Sequence, residues 1–354
     1  MKFITLEPEE FRKFANKNPY KSFTQTPEIA KYRTSNGWTA YYFGVEEDGE
    51  IKAATMLVAK PTFLGKSTFL APGGPLLDFE DTKTTNFFLK NLKNYVKSHN
   101  GYVLHIDPYY QLIERDRSGA IKEGGFNHRK ALTTLKSLGF KPKPHSGQPK
   151  YHFIMEIKNR TPEKILADFK RNTRNHVRKA EKQGVTIREL SREELSIFKQ
   201  ITESTSERRN FTDRPLNYYE QMYDLFHDRG EVKFMLAEAN DIPLSAAMFM
   251  LYGDEIIYLF SGSDEKYMRE YNAQYLIQWH MIKYAAEHKF KIYNFYGING
   301  LPDPNSKDYG IYDFKKGFTN EETGRVVELI GAHELPVSPI FYYLHQLLSK
   351  LKNH

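Results

Sequence analysis

The sequence predicts a mixed α/β protein made of two tandem copies of one domain, each a mixed sheet flanked by helices. Three observations carry this. A polar turn runs into an apolar strand twice, over 49–58 and again over 240–249. Each is followed by an amphipathic helix and then a strand: Phe88–Val96 with Gly101–Pro108, and Tyr275–Ala286 with Phe290–Gly297. Self-similarity of this kind marks a duplicated unit. A run of chain breakers, Pro142, Pro144, Gly147 and Pro149, places the join. The expected domains are 1–148 and 149–354.

The elements follow in order. Apolar residues recur at three- and four-residue spacing in both helices, and the strands after them are rich in β-branched and aromatic residues. Hairpin strands, a helix and a further strand make an α/β plan with a mixed sheet. Tyr151–Ile157 alternates like the first strand of the second copy. Thr161 and Pro162 then form an N-cap and a first helical position, and Gly184 fits a C-terminal stop, so 162–184 reads as one helix. That helix concentrates Lys170, Arg171, Arg174, Arg178, Lys179 and Lys182. Such a face is either a solvated surface or a contact for phosphates.

Composition narrows the function. The chain has 354 residues, 40% hydrophobic and 27% charged, which suits two domains with real cores. It has no cysteine, so disulfides, thiolate metal sites and cysteine nucleophiles are excluded. The net charge of +7 suits a polyanionic partner such as nucleic acid, nucleotide phosphates or an anionic membrane face. The opening residues lack the apolar core of a signal peptide, and no stretch approaches the roughly 18 apolar residues that span a bilayer. A cytoplasmic protein is expected. The 12 histidines are scattered without metal spacing, and there is no P-loop, so neither a metal nor a cofactor is expected.

The order of elements is that of the acyltransferase fold of GCN5-related N-acetyltransferases. Those enzymes hold the pyrophosphate of acetyl-CoA on a glycine-rich turn at a helix start. The matching stretch here, 269–274, has no glycine, which weakens a coenzyme A reading.

Five further segments are specific: 23–28 (FTQTPE), 106–108 (IDP), 214–218 (RPLNY), 295–300 (FYGING) and 309–318 (YGIYDFKKGF). In this order they resemble the FemABX family of non-ribosomal peptidyltransferases over nearly the whole chain. The resemblance implies a duplicated acetyltransferase-like fold. It also implies transfer of an amino acid, alanine, serine or glycine, from aminoacyl-tRNA to the stem-peptide amine of a peptidoglycan precursor. The acceptor would be UDP-MurNAc-pentapeptide or lipid II. Many members carry a coiled-coil arm in the second domain. Here Asp228–Lys233 runs straight into a strand, so the chain is most similar to the compact FemX-like type.

The resemblance also implies residue roles. Lys315 would serve the tRNA end and the developing negative charge, with Phe314 either stacking on the terminal adenine or lying in the core. Asp107 would meet the attacking amine, with Tyr102 earlier on the same strand. Arg214 and Tyr218 would contact the nucleotide precursor; the alternative for Arg214 is an ion pair with Asp213 or Glu220. Near the N-terminus a cation is expected at Lys31 or Arg33. Phe260 stands where the family can have tyrosine.

The segment 339–354 is apolar and basic. It reads either as a helix docked on the protein body or as one lying on an anionic membrane, which would suit lipid II and the inner membrane face. A monomer is expected. The competing readings are an acetyl-CoA-dependent N-acyltransferase and a non-catalytic RNA-binding or immunity protein.

Overall fold

The computed structural model describes residues 1–143 and 147–352. Two compact units emerge. The first contains Met1–Glu114, Glu123–Lys150 and Glu328–His354, and the second contains Arg115–Lys122 and Tyr151–Val327.

The first unit runs β1 (Lys2–Thr5), α1 (Pro8–Lys17), α2 (Pro27–Ser35), β2 (Thr39–Glu47), β3 (Glu50–Phe63), β4 (Lys66–Gly73), α3 (Thr82–Ser98), β5 (Gly101–Pro108), β6 (Gln111–Glu114), α4 (Lys130–Ser137) and β7 (Lys141–Pro142). The second runs β8 (Tyr151–Glu156), α5 (Pro162–Asp168), α6 (Arg171–Lys182), β9 (Thr186–Glu189), α7 (Leu195–Arg209), α8 (Leu216–Phe226), β10 (Val232–Ala239), β11 (Ile242–Tyr252), β12 (Glu255–Ser263), α9 (Glu265–Tyr271), α10 (Ala273–Glu287), β13 (Ile292–Ile298), α11 (Tyr309–Lys316) and β14 (Gly324–Leu329). The chain then returns to the first unit as β15 (His333–Pro336) and α12 (Pro339–Lys352).

The duplication is visible strand by strand. β2, β3 and β4 form an antiparallel meander, α3 crosses over, and β5 pairs parallel to β4. In the second unit β10, β11 and β12 form the meander, α9 and α10 cross over, and β13 pairs parallel to β12. The first sheet has the order β1-β2-β3-β4-β5-β15-β7, and the second unit's sheet runs β14-β8-β13-β12-β11-β10-β9. Phe88, Leu89, Leu92 and Val96 of α3 are buried on the first sheet. Ile277, Met281, Ile282 and Ala285 of α10 do the same in the second. Three- and four-residue spacing puts each set on one helix face.

The structure departs from the sequence reading in two places. The last strand and helix join the first unit, not the second, because β15 pairs antiparallel with β5 through His333–Pro336 against Val103–Ile106. Of the predicted breakers, Pro144 lies outside the described residues, as does His354 of the final segment. The basic helix is two helices. α5 is capped by Thr161 as expected, but the chain turns extended at Phe169, φ −59° and ψ 144°. Phe169 is buried there against the rings of Trp279 and Phe318, at 5.5 and 5.1 Å. Burying a phenylalanine is worth about 1.5–3 kcal/mol, more than the turn of helix given up. The α8–β10 connection is the short segment 227–231, with no arm in it.

Candidate active-site elements

In the second unit the sheet opens between β12 and β13. These strands are parallel neighbours only over Glu255–Ile257 against Ile292–Asn294, whereas β4 and β5 of the first unit stay paired from Ser67–Gly73 to Gly101–Pro108. β13 is irregular between Asn294 and Gly297. Tyr296 has φ 64°, a left-handed conformation that costs a non-glycine residue roughly 1–3 kcal/mol. Its N–H donates to Asn294 Oδ1 at 2.7 Å, which offsets part of that cost.

Just beyond the irregularity, the Gly297 carbonyl accepts a hydrogen bond from Lys315 Nζ at 2.5 Å. Lys315 is only 6% exposed. Among the described residues no carboxylate lies within ion-pair distance of it. Burial pushes its ammonium down to about 7. The result is a buried amine close to half-protonation at neutral pH.

α11 is held firmly enough to fix this amine. Tyr312 Oη donates to the Arg117 carbonyl at 2.7 Å, and Arg117 Nη2 donates to the Lys316 carbonyl at 2.8 Å. Lys170 bonds Asp313 at 2.7 Å, and its N–H donates to the Gly317 carbonyl at 2.8 Å. A Cβ at Gly317 would meet Thr173 Oγ1 at 2.4 Å, so glycine is required where α6 crosses the end of α11. Phe314 is half-buried, edge-on to Tyr275 and Phe318 at 5.0 and 5.2 Å. Tyr275 also meets His176 of α6 at 4.5 Å, so an aromatic run joins the basic helix to the Lys315 helix.

A second cluster in this unit brings three predicted residues together. The Arg214 guanidinium is exposed and lies 5.4 Å from the Tyr218 ring centre. Tyr218 packs edge-on to Phe260 at 5.9 Å. The carboxylates proposed as ion-pair partners for Arg214 are engaged elsewhere. Glu220 faces Arg192 at 3.7 Å. Asp213 accepts from Tyr219 Oη at 2.6 Å, Thr202 Oγ1 at 2.8 Å and Lys199 Nζ at 3.0 Å. Burial pushes the Asp213 carboxyl up, but bonds from Tyr219, Lys199 and Thr202 outweigh it and hold it below the usual value. Its stabilising contribution is therefore present above about pH 3.9 and is lost as pH falls through the lowered folded value. Asp213→Ala leaves Tyr219 and Lys199 without their acceptor and is expected to cost about 1–3 kcal/mol at pH 7. The loss is expected to shrink towards pH 3, measured by urea denaturation at both pH values.

In the first unit, Asp107 ends β5 and is 5% exposed. Its Oδ2 accepts the Gly147 N–H at 2.9 Å, and Gln148 Nε2 donates to its carbonyl at 2.8 Å. The Asp107 N–H donates to the Gly74 carbonyl at 3.1 Å. Beneath lies Gln25, fully buried and fully bonded. Its Nε2 donates to the carbonyls of Met56 and Pro72 at 3.0 and 2.8 Å, and its Oε1 accepts the Met56 N–H at 2.8 Å. A Cβ on Gly74 would meet the Gln25 amide at 2.6 Å. The 23–28 segment thus braces the strand end that carries Asp107.

Tyr102 is not beside Asp107. They lie five positions apart on one strand, roughly 16 Å at about 3.3 Å per residue. Tyr102 is buried, accepts from Thr68 Oγ1 at 2.9 Å and packs with Val103 and Tyr342. Lys31 is exposed on α2. Arg33 is half-buried at the end of that helix, its guanidinium 5.5 Å from the Trp38 ring and 6.0 Å from that of Tyr32.

At the start of α10, where a coenzyme A pyrophosphate would sit, side chains and not glycines shape the turn. Asn272 takes the left-handed conformation, φ 54°, that a glycine would otherwise supply. Gln274 Nε2 donates to Tyr258 Oη at 2.8 Å, and Ser245 Oγ donates to Gln274 Oε1 at 2.5 Å. No group of three or more metal-ligating side chains occurs among the described residues.

Sequence reasoning gave no role to Tyr296, Gln25 or the Gly147–Gln148 turn, and it offered Asp213 only as a partner for Arg214. Each acts through its backbone or through a buried network. Gln25 and Tyr296 stand inside quoted motifs, which was the signal available for them.

Comparisons agree with this architecture. The FemAB family model matches residues 6–241 and 238–350. The aminoacyltransferase FemA of Staphylococcus epidermidis strain RP62A is 28% identical over 422 residues, covering 99% of this chain and all of the relative. That of Staphylococcus aureus strain N315 is 27% identical over 428 residues, covering 100% of this chain and 99% of the relative. A crystal structure of FemX superimposes with TM-score 0.82 at 24% identity, covering 97% of this chain and 99% of the other. A tandem GNAT protein from the clavulanic acid biosynthesis pathway gives TM-score 0.54 at 11% identity, covering 96% and 99%. With the family matched through both units and relatives aligned end to end, this chain is an aminoacyltransferase and belongs to the FemAB family.

Proposed function

We propose that the chain transfers an amino acid from aminoacyl-tRNA to the stem-peptide amine of a peptidoglycan precursor during interpeptide-bridge synthesis, on the cytoplasmic side of the membrane. The observation that carries this reading is Lys315, a buried amine beside an aromatic run, with no carboxylate within ion-pair distance among the described residues. A bound anion supplies the missing charge. The phosphates and the ester of a tRNA 3′ end match that need.

The chemistry asks for alignment more than for strong catalysts, because the ester is already activated. The acceptor nitrogen attacks the ester carbonyl, the bond to the ribose oxygen breaks and an amide forms. Asp107 takes the proton that the acceptor ammonium must lose. Lys315, protonated once the tRNA end is bound, faces the oxyanion, gives its proton to the departing ribose oxygen and regains one from the tetrahedral nitrogen as the amide forms. Phe314, half-buried, supplies an aromatic ring on which the terminal base stacks, a contact worth about 1–3 kcal/mol. The exposed Arg171, Arg178 and Lys182 of α6 supply charge for the acceptor stem.

Arg214, with Tyr218 and Phe260, takes the diphosphate and sugar of the precursor. Lys31 or Arg33 adds a second cation, and Tyr102 supports its strand. Arg214→Ala is expected to weaken acceptor binding about tenfold, roughly the 1.4 kcal/mol of a charge-assisted contact. An unchanged dissociation constant in titration calorimetry removes that assignment.

The reaction itself is tested by offering tRNA charged with radiolabelled alanine, serine or glycine, with UDP-MurNAc-pentapeptide and lipid II as separate acceptors. Label in either acceptor supports the proposal and identifies the donor and acceptor together. No transfer to either, with turnover of acetyl-CoA instead, overturns it.

A further inference from the structure

α12 presents two apolar faces, and the protein covers only one. Phe341 and Tyr342 pack against Tyr102 and Val103 of β5. On the outer side, Ile340, Tyr343, Leu344, Leu347, Leu348 and Leu351 are exposed, Ile340 to 80% and Leu351 to 67%. Positions 340, 344, 347 and 351 follow helical spacing, so these side chains form one stripe. A contiguous exposed apolar patch on one helix calls for an occupant, unlike scattered surface leucines.

We infer that this stripe seats the protein on an anionic lipid bilayer. The charge around it is the argument. The helix sequence contains no aspartate or glutamate and ends with Lys350 and Lys352. Lys141 donates to Tyr343 Oη at 3.0 Å. Lys66 sets its ammonium 4.8 Å from the ring centre of Phe341. Two residues before Lys66, at the tip of the β3–β4 hairpin, Leu64 is 68% exposed. The helix and the hairpin tip therefore present apolar side chains rimmed by lysines. That is the pattern of a helix lying in the headgroup region, where apolar burial and attraction to anionic lipid add together. A second copy of the chain is a poorer occupant. Pairing with a second copy would bury this lysine-rimmed surface with no carboxylate in the helix to pair with those lysines.

This inference is independent of the transfer reaction and is tested without it. The full chain is sedimented with vesicles of phosphatidylglycerol and phosphatidylcholine, and with phosphatidylcholine alone. It is expected to pellet with the anionic vesicles only, and less as salt is raised. Leu347→Glu/Leu351→Glu changes exposed positions, so its melting temperature should stay unchanged while its partition falls about tenfold or more. Equal pelleting of parent and variant, equal pelleting with neutral vesicles, or a parent that remains in the supernatant overturns the inference. So does a concentration-dependent dimer that the double variant abolishes without any vesicle binding, which assigns the stripe to self-association.

Discussion

Lys315→Ala is expected to lower turnover about 10²–10³-fold at saturating donor and acceptor, the scale for removing one preorganised charge from an acyl-transfer site. The fold should survive, since burial of this ammonium is a cost to the native state. In the unfolded chain the amine titrates near 10.5, and in the folded protein near 7. Between these values the unfolded state binds more protons, so stability rises with pH across that window. Below pH 7 the penalty is constant, on the order of a few kcal/mol. Lys315→Met, which fills the same space without charge, should therefore raise the melting temperature at pH 6–7. The gain should vanish as pH approaches 10.5. Calorimetric melting of both proteins at pH 6, 8 and 10 measures this. The same titration predicts how the donor binds. An oligonucleotide matching the tRNA 3′ end should bind more weakly at pH 8 than at pH 6, about tenfold per pH unit once above 7. Lys315→Arg, always charged, should flatten that dependence. A variant that turns over at the parental rate, or a parent whose binding ignores pH, sinks the role.

Asp107→Asn is expected to lower kcat about 10²–10⁴-fold, the usual range for losing a positioned proton acceptor. The substitution keeps the shape of the side chain and an oxygen that can still accept the Gly147 N–H. KM for the acceptor should change little if Asp107 acts on the proton. A purely structural role would instead appear as a lower melting temperature, because an uncharged amide oxygen holds the Gly147 N–H less strongly than a carboxylate does. The decisive reading is the pH profile: raising pH deprotonates the acceptor amine in solution, so the variant should recover part of its rate at high pH. A variant equally slow at every pH, with a loosened fold, assigns Asp107 to architecture.

Much of the architecture is legible in the sequence because the two meanders and their crossover helices repeat with clear periodicity. Tyr275–Ala286 and Phe290–Gly297 are recoverable from spacing alone. The break at Phe169 was not, because residues on both sides favour helix and only Trp279 and Phe318, far along the chain, draw that ring inward. The return of β15 was hidden for a similar reason: a four-residue strand carries too little pattern to declare its partner. Lys315 and Asp107 stand in quoted motifs, whereas the lack of a carboxylate near Lys315 among the described residues is a property of what surrounds it. Nothing local in the Asn294–Gly297 stretch announces that Tyr296 adopts a left-handed backbone. Asn272 hides the opposite way, since an asparagine doing the conformational work of glycine looks like an ordinary polar residue.

The strand β15 has a consequence for synthesis. Chains emerge from the ribosome N-terminus first, at about 5–20 residues per second. The first sheet nevertheless needs His333–Pro336 between β5 and β7 before its hydrogen-bond ladder is complete. Until then β5 is an open edge in a nascent protein, with Val103 and Ile106 beside unpaired backbone groups, while the entire second unit is made. Such an edge is a template for pairing with other chains. The unit whose strands are made earlier thus waits for a strand made after the second unit, and its sheet is completed only then.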